Sequence, residues 1–143
     1  MEKAEEFSVK LDRIRRYLGE NQFGGVALSR SDNFAWVGCG ADSVVDTASE
    51  TGVGTLVVSR DAVTLVANNI ESDRLLAEEL EGLPIDDVRT FPWHRPGEKD
   101  EIIAQMAAGG WFAADDGAAG LPALGDDFTR LRYELTAAEI ERY

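Results

Sequence analysis

Apolar residues recur at helical spacing from the start of the chain: Phe7, Leu11, Ile14 and Leu18, with Arg13, Arg15 and Arg16 elsewhere on the helix. This spacing predicts an amphipathic helix, ended by Gly24-Gly25 in the manner of a C-cap. Val26-Ala27-Leu28 is a short apolar run and predicts a buried strand. Ser31-Asp32-Asn33 supplies turn and N-cap chemistry. Phe34-Ala35-Trp36-Val37 follows as a short helix or aromatic turn and reaches Gly38-Cys39-Gly40. Residues 41–52 are small and polar without periodicity, which predicts a loop. Two β-rich runs, 55–59 and 62–67, are separated only by Arg60-Asp61, the spacing of a hairpin. Residues 70–80 are helical by pattern, with Leu75, Leu76 and Leu80 inward and Glu71, Asp73, Glu78 and Glu79 outward. Residues 88–91 form a short strand closed by Pro92. A helix over 98–108 is capped by Gly109-Gly110, and a strand over 111–114 runs into Asp115-Asp116. Residues 117–127 form a Gly/Pro/Ala loop, and 128–135 a short helix followed by a connector.

The order is α-β-(α)-β-β-α-β-α-β, then the start of a last helix. A hairpin embedded among βα units implies a mixed sheet with helices packed on it. The expected fold class is α/β, a three-layer sandwich with a sheet of five or six strands. Thr136-Ala137-Ala138-Glu139 fits a capping box, with Thr as N-cap and Glu at N3. A helix starting there reaches Tyr143 in barely two turns. Helices that short are marginal alone. The expectation is a domain over residues 1–135, with 136–143 opening the first helix of a further domain.

Composition narrows the function classes. The chain has 143 residues, 44% hydrophobic and 29% charged, which is ordinary for one globular domain. No run approaches 18 apolar residues, so no membrane span is expected. Met1 to Glu6 is acidic and lacks the apolar stretch of a signal peptide. A single Cys forms no internal disulfide, and a reducing cytoplasm fits best. The net charge of -13, with no basic stripe, excludes a phosphate-backbone partner. Only Lys3, Lys10 and Lys99 among the fourteen basic residues are Lys. An acid-rich, Lys-poor surface fits a salt-adapted or high-GC organism, or simple solubility.

Candidate chemistry is thin, and each candidate has a plain structural alternative. Cys39 as a thiolate nucleophile needs a base, and His94 is the single histidine. The alternative is a small residue in a tight turn. His94 lies in Phe91-Pro92-Trp93-His94-Arg95-Pro96-Gly97, a stiff aromatic loop suited to a structural or interface role. Three Asp pairs occur, at 86–87, 115–116 and 126–127. Neighbours on a strand point to opposite faces, so such pairs do not normally chelate one ion. Asp115-Asp116 is best placed, at the C-terminal end of a strand, where α/β proteins bind ligands. Solvation of a loop is the simpler role. Gly52-Val53-Gly54 lacks the rest of a dinucleotide fingerprint. Trp36, Trp93 and Trp111 suit core or interface positions.

Taken together, the chain resembles the N-terminal domain of the creatinase/prolidase/Xaa-Pro aminopeptidase family of metallopeptidases. Leu11-Asp12-Arg13-Ile14-Arg15-Arg16-Tyr17-Leu18 leads through a glycine turn to Gly25-Val26-Ala27-Leu28. Asp32-Asn33-Phe34-Ala35-Trp36-Val37-Gly38 is similar to the family's aromatic turn. Glu71-Ser72-Asp73-Arg74-Leu75 resembles its helix after the hairpin. Leu131-Arg132-Tyr133-Glu134-Leu135-Thr136-Ala137-Ala138-Glu139-Ile140-Glu141 looks like the junction that opens the family's catalytic domain. Leu135 stands where Lys is common, Ala137 where Pro is common, and Val37 and Cys39 replace the usual end of the aromatic turn. These departures leave the substrate subclass open.

The resemblance implies a ribonuclease H-like domain with no catalytic residue and no metal ligand of its own. Hydrolysis would belong to a C-terminal domain holding two divalent ions (Mn, Co or Zn) with two Asp, one His and two Glu. The N-terminal domain would help form a homodimer and the rim of the partner subunit's active site, limiting access to proline-containing peptides. The implied rim or interface residues are Asn33, Phe34, Trp36, Trp93, His94 and Arg95, in the 33–40, 41–52 and 91–97 segments. The competing reading is a stand-alone acidic α/β domain that binds a small molecule or divalent ion through Asp115 and Asp116.

Overall fold

In the computed structural model, which describes residues 1–143, α1 (Lys3–Asn21) buries the predicted stripe of Phe7, Leu11, Ile14 and Leu18 and adds Tyr17. The helix ends earlier than Gly24-Gly25. Gln22 takes the left-handed conformation, at φ 60°, and its amide donates to the Leu18 carbonyl. Gly25 already belongs to β1. A Cβ there would lie 2.6 Å from the Phe112 ring, so this glycine serves close packing between strands rather than a helix cap.

The strands are β1 (Gly25–Arg30), β2 (Thr51–Ser59), β3 (Val63–Asn68), β4 (Asp87–Phe91) and β5 (Phe112–Ala114). They form one mixed five-stranded sheet in the order β4-β3-β2-β1-β5. β2 and β3 are the predicted antiparallel hairpin, with Val58 opposite Val63 and Leu56 opposite Leu65. β1 also pairs antiparallel with β2, whereas β4 and β5 run parallel to β3 and β1. β2 starts at Thr51, so the predicted 41–52 loop covers only 41–50. The pairing of Thr51 with Arg30, beyond an irregularity after Leu28, draws these residues into the sheet. Trp111 falls outside β5 and is 62% exposed.

Three layers result. On one face, Val26, Leu28, Leu56, Val58 and Leu65 meet α1, α2 (Ser31–Val37) and the 72–80 segment. On the other, Ala27, Val57 and Val66 meet Ile103 and Ala107 of α4 (Glu98–Ala107), with α3 (Ser72–Arg74) preceding it in the chain. Central strands covered on both faces explain why β1 to β3 read as near-continuous apolar runs. The predicted 70–80 helix is α3 followed by a wider π turn over Leu75–Glu79, in which the Leu80 amide donates to the Leu75 carbonyl at 2.8 Å. The wider turn brings Leu75 and Leu80 into the core and leaves Leu76 half-buried.

Near the C-terminus, α5 (Asp126–Thr129) carries Phe128, whose ring meets Tyr17 edge-on at 5.2 Å and Trp36 at 6.4 Å. α6 (Ala137–Arg142) begins with the predicted capping box. The Glu139 amide donates to Thr136 Oγ1, and the Thr136 amide to Glu139 Oε1. No helix is long and apolar enough to cross a membrane.

Candidate functional site

The strand directions decide where loops gather. β1, β3, β4 and β5 all run the same way, so the segments that follow them emerge at one end of the sheet, where the 41–50 loop also feeds β2. This end carries α2, the 92–97 loop and Asp115.

Asp115 is the organising residue there. Its two carboxylate oxygens accept from the amides of Ser29 at 2.8 Å and Arg30 at 2.9 Å, and from Asn33 Nδ2 at 3.0 Å. It thereby ties the end of β5 to the end of β1 and the first turn of α2. Burial pushes its carboxyl above the ordinary range, against the pull of the three hydrogen bonds. Asp116 points elsewhere and pairs with Lys99 Nζ at 3.0 Å. Burial works against its charge, but Lys99 outweighs this and holds it below the usual value.

A cleft of about 180 Å³ opens beside Asp115, lined by Arg30, Asp32, Asn33, Phe128 and Arg132 among others. Its charges are matched within the chain. Arg30 reaches Asp32 at 3.2 Å and Glu50 at 2.9 Å, and Arg132 lies 3.5 Å from Asp32. Burial acts against the charge of Asp32, but Arg30, the Asn33 amide and Arg132 together lower its pKa. No group of three or more His, Cys, Asp or Glu side chains converges as a metal site. Asp115 and Asp116 are each engaged by other protein groups, so the arrangement holds a turn together rather than presenting free ligands.

The other candidates separate by burial. Asn33 is buried and bonded to Asp115, and Phe34 lies wholly in the core. Trp36 is buried against Phe128, and its indole Nε1 has no hydrogen-bond partner. Trp93 is 59% exposed, and its ring stands edge-on to His94 at 5.6 Å. His94 and Arg95 are also exposed. The Trp93 amide donates to Asn69 Oδ1 at 2.9 Å, which pins this loop to the end of β3. Residues 33–36 and 93–95 therefore share an end of the sheet but follow β1 and β4, strands about 14 Å apart across the sheet. Cys39 follows α2 at φ 58°, and burial, with the nearby Glu6 carboxylate, pushes its thiol up to about 12. A thiol held neutral in this way is a poor nucleophile.

No family model and no curated protein matches this sequence. Solved structures do match. Dipeptidase PepE from Mycobacterium ulcerans superposes with a TM-score of 0.71 at 20% identity, over 98% of this chain and 40% of that one. An Xaa-Pro dipeptidase from Bacillus anthracis gives 0.67 at 12% identity, over 94% and 38%. The creatinase/prolidase N-terminal domain of an X-Pro dipeptidase from Streptococcus pyogenes gives 0.52 at 19% identity, over 87% and 86%. The fold is that of a creatinase/prolidase N-terminal domain. The chain spans about two fifths of the two longer dipeptidases it matches.

Within this creatinase/prolidase-type fold, sequence reasoning missed one cluster. Glu6, Lys10 and Arg142 join Glu139 where α1 meets α6. The i,i+4 spacing of Glu6 and Lys10 was a visible signal, but it usually marks a solvated helix face. Nothing in the sequence places Arg142 against residue 6.

Proposed function

We propose that this chain is the non-catalytic N-terminal domain of an Xaa-Pro aminopeptidase- or dipeptidase-like metallopeptidase. The carrying observation is the likeness to dipeptidase PepE, which covers almost all of this chain and 40% of that one. Residues 1–135 form the domain, and 136–143 open the first helix of its own C-terminal catalytic domain. That domain would bind the two divalent ions, Mn, Co or Zn. The acidic residues here do not fit such a pair, because Asp115 and Asp116 are committed to Ser29, Arg30, Asn33 and Lys99.

The domain's work is then access and assembly. The 33–40, 41–50 and 91–97 segments share one end of the sheet, a suitable rim for a proline-containing peptide in a homodimer's partner site. Trp93 supplies the exposed aromatic such a rim needs. Tyr133, Leu135, Ile140 and Tyr143 are all exposed within eleven residues, and Tyr133, Leu135 and Tyr143 border a cleft of about 460 Å³ beside Trp36 and Arg132. Apolar exposure on this scale suits a docking face for the catalytic domain. The absence of a paired Cys fits a cytoplasmic enzyme.

Reading the coding sequence past Tyr143 tests the proposal. A domain bearing two Asp, one His and two Glu at metal-binding positions supports it. A stop codon, or an unrelated domain, favours the stand-alone ligand-binding reading.

A further inference from the structure

Three helices meet on one ammonium group. Lys10 Nζ donates to Glu6 Oε2 at 2.8 Å and to the Trp36 carbonyl at 2.6 Å, and lies 3.5 Å from Glu139 Oε2. The side chains of Lys10 and Glu6 are each 1% exposed. Glu6 also receives both arms of the Arg142 guanidinium, at 2.9 and 3.0 Å. Glu139 serves twice, since its other oxygen closes the capping box on the Thr136 amide. The chain of charges Arg142–Glu6–Lys10–Glu139 thus runs from α6 into α1 and back to α6. Through the Trp36 carbonyl it also touches the end of α2. Two cations and two carboxylates balance, so no member has a surplus charge to leave buried.

This cluster has little apolar help. α6 has six residues, too few to be stable alone. Ala138 is its one buried apolar side chain, while Ile140 faces solvent. Something other than a hydrophobic stripe seats the helix. Buried ion pairs are weak sources of net stability, but removing one partner strands the other charge, which makes the position of both strongly determined.

We infer that the Glu6–Lys10–Glu139–Arg142 cluster is a lock that seats residues 136–142 on α1, with Lys10 as its central member. It converts a marginal two-turn segment into a rigid strut, fixing the direction of residues 136–142 relative to α1. The lock is built wholly from residues of this chain, so it stands even if the peptidase reading falls.

Amide hydrogen exchange on the 143-residue chain tests it, comparing Lys10→Met and Glu6→Gln with the parent sequence. Lys99→Met serves as the control, since it breaks only the pair with Asp116. The expected result is a loss of about tenfold or more in protection at the amides of Ile140 and Tyr143, which bond back into α6, so that they exchange well ahead of the β2 and β3 amides, with the control unchanged. Unchanged α6 protection in both variants overturns the inference. Exchange of α6 and the central strands at one common rate in the variants also overturns it, because α6 would then open only with the whole fold and the cluster would not be what seats it. Should Lys10→Met fail to fold, Arg142→Gln, at a half-exposed position, carries the same expectation and the same refutation.

Discussion

Replacing Asp115 by Ala should be among the most damaging polar substitutions in this domain. The carboxylate accepts three hydrogen bonds between 2.8 and 3.0 Å, two from the backbone where β1 turns into α2 and one from Asn33. Alanine leaves those donors without a protein acceptor at the floor of the cleft beside residue 115. Bonds to a charged acceptor contribute about 1.5 kcal/mol or more each, so three amount to roughly 4–5 kcal/mol. Burial already disfavours the charge, as the raised pKa shows, and removing it returns part of that sum. The expected net loss is about 3 kcal/mol, a large share of the roughly 5–15 kcal/mol typical of a domain. Urea unfolding followed by circular dichroism measures it. Asp115→Asn keeps the shape but places an NH2 against a backbone donor, and should fall between the two. The sign with pH is also fixed. A folded value raised above the unfolded one means this group's contribution is complete below the unfolded value and is lost as pH rises through the folded value. Asp115→Asn should remove that slope. A loss below about 1 kcal/mol for Asp115→Ala would refute the idea that this carboxylate organises the turn.

Glu6 titrates in the opposite sense. The Arg142 guanidinium, aided by Lys10 and opposed by burial, lowers its pKa from 4.5 to about 2. Its stabilisation is therefore present above pH 4.5 and lost as pH falls toward 2, and is at most about 3 kcal/mol because Arg142 is half-exposed. Glu6→Gln should flatten the acid limb of a stability-against-pH curve; an unchanged limb contradicts the pairing. Phe128→Ala removes a buried ring packed on Tyr17 and Trp36 and should cost about 3–5 kcal/mol in urea unfolding, whereas a loss under about 1 kcal/mol would show that α5 is not part of the core. Cys39 should react with iodoacetamide at neutral pH far more slowly than a free thiol, because burial holds it neutral; fast alkylation of the folded chain would show the site to be open. Trp93→Ala should leave stability nearly unchanged but weaken self-association in sedimentation velocity, and identical sedimentation would remove Trp93 from the interface.

The parts of the fold that were legible in the sequence share one physical origin. The 7/11/14/18 stripe, the Arg60-Asp61 hairpin and the Thr136–Glu139 capping box are local patterns, and local patterns survive into the structure unchanged. Where a distant partner decides, the sequence misled. Gly25 looked like a helix cap because the ring of Phe112, far along the chain, is invisible in a local window. Thr51 and Gly52 looked like loop because their strand is defined only by pairing with β1. The π turn at Leu75–Glu79 has the residue pattern of a regular helix, and only the bond from the Leu80 amide to the Leu75 carbonyl distinguishes the wider turn. The candidate site followed the same rule. Asp115 was located at the right strand end, yet its engagement with Ser29, Arg30 and Asn33 required the sheet order. The Lys10 cluster lay hidden because its members sit at opposite ends of the chain.

The function proposed above has this domain shaping access to a peptidase centre that lies in another domain. The direct measurement is hydrolysis of Xaa-Pro peptides with manganese, cobalt or zinc, run side by side on the 143-residue chain and on the full product of its gene. The expected result is metal-dependent cleavage by the full product and none above blank by the chain alone. Metal-dependent cleavage by the chain alone that survives repurification, or a full product inert toward Xaa-Pro peptides with every metal, would contradict the account.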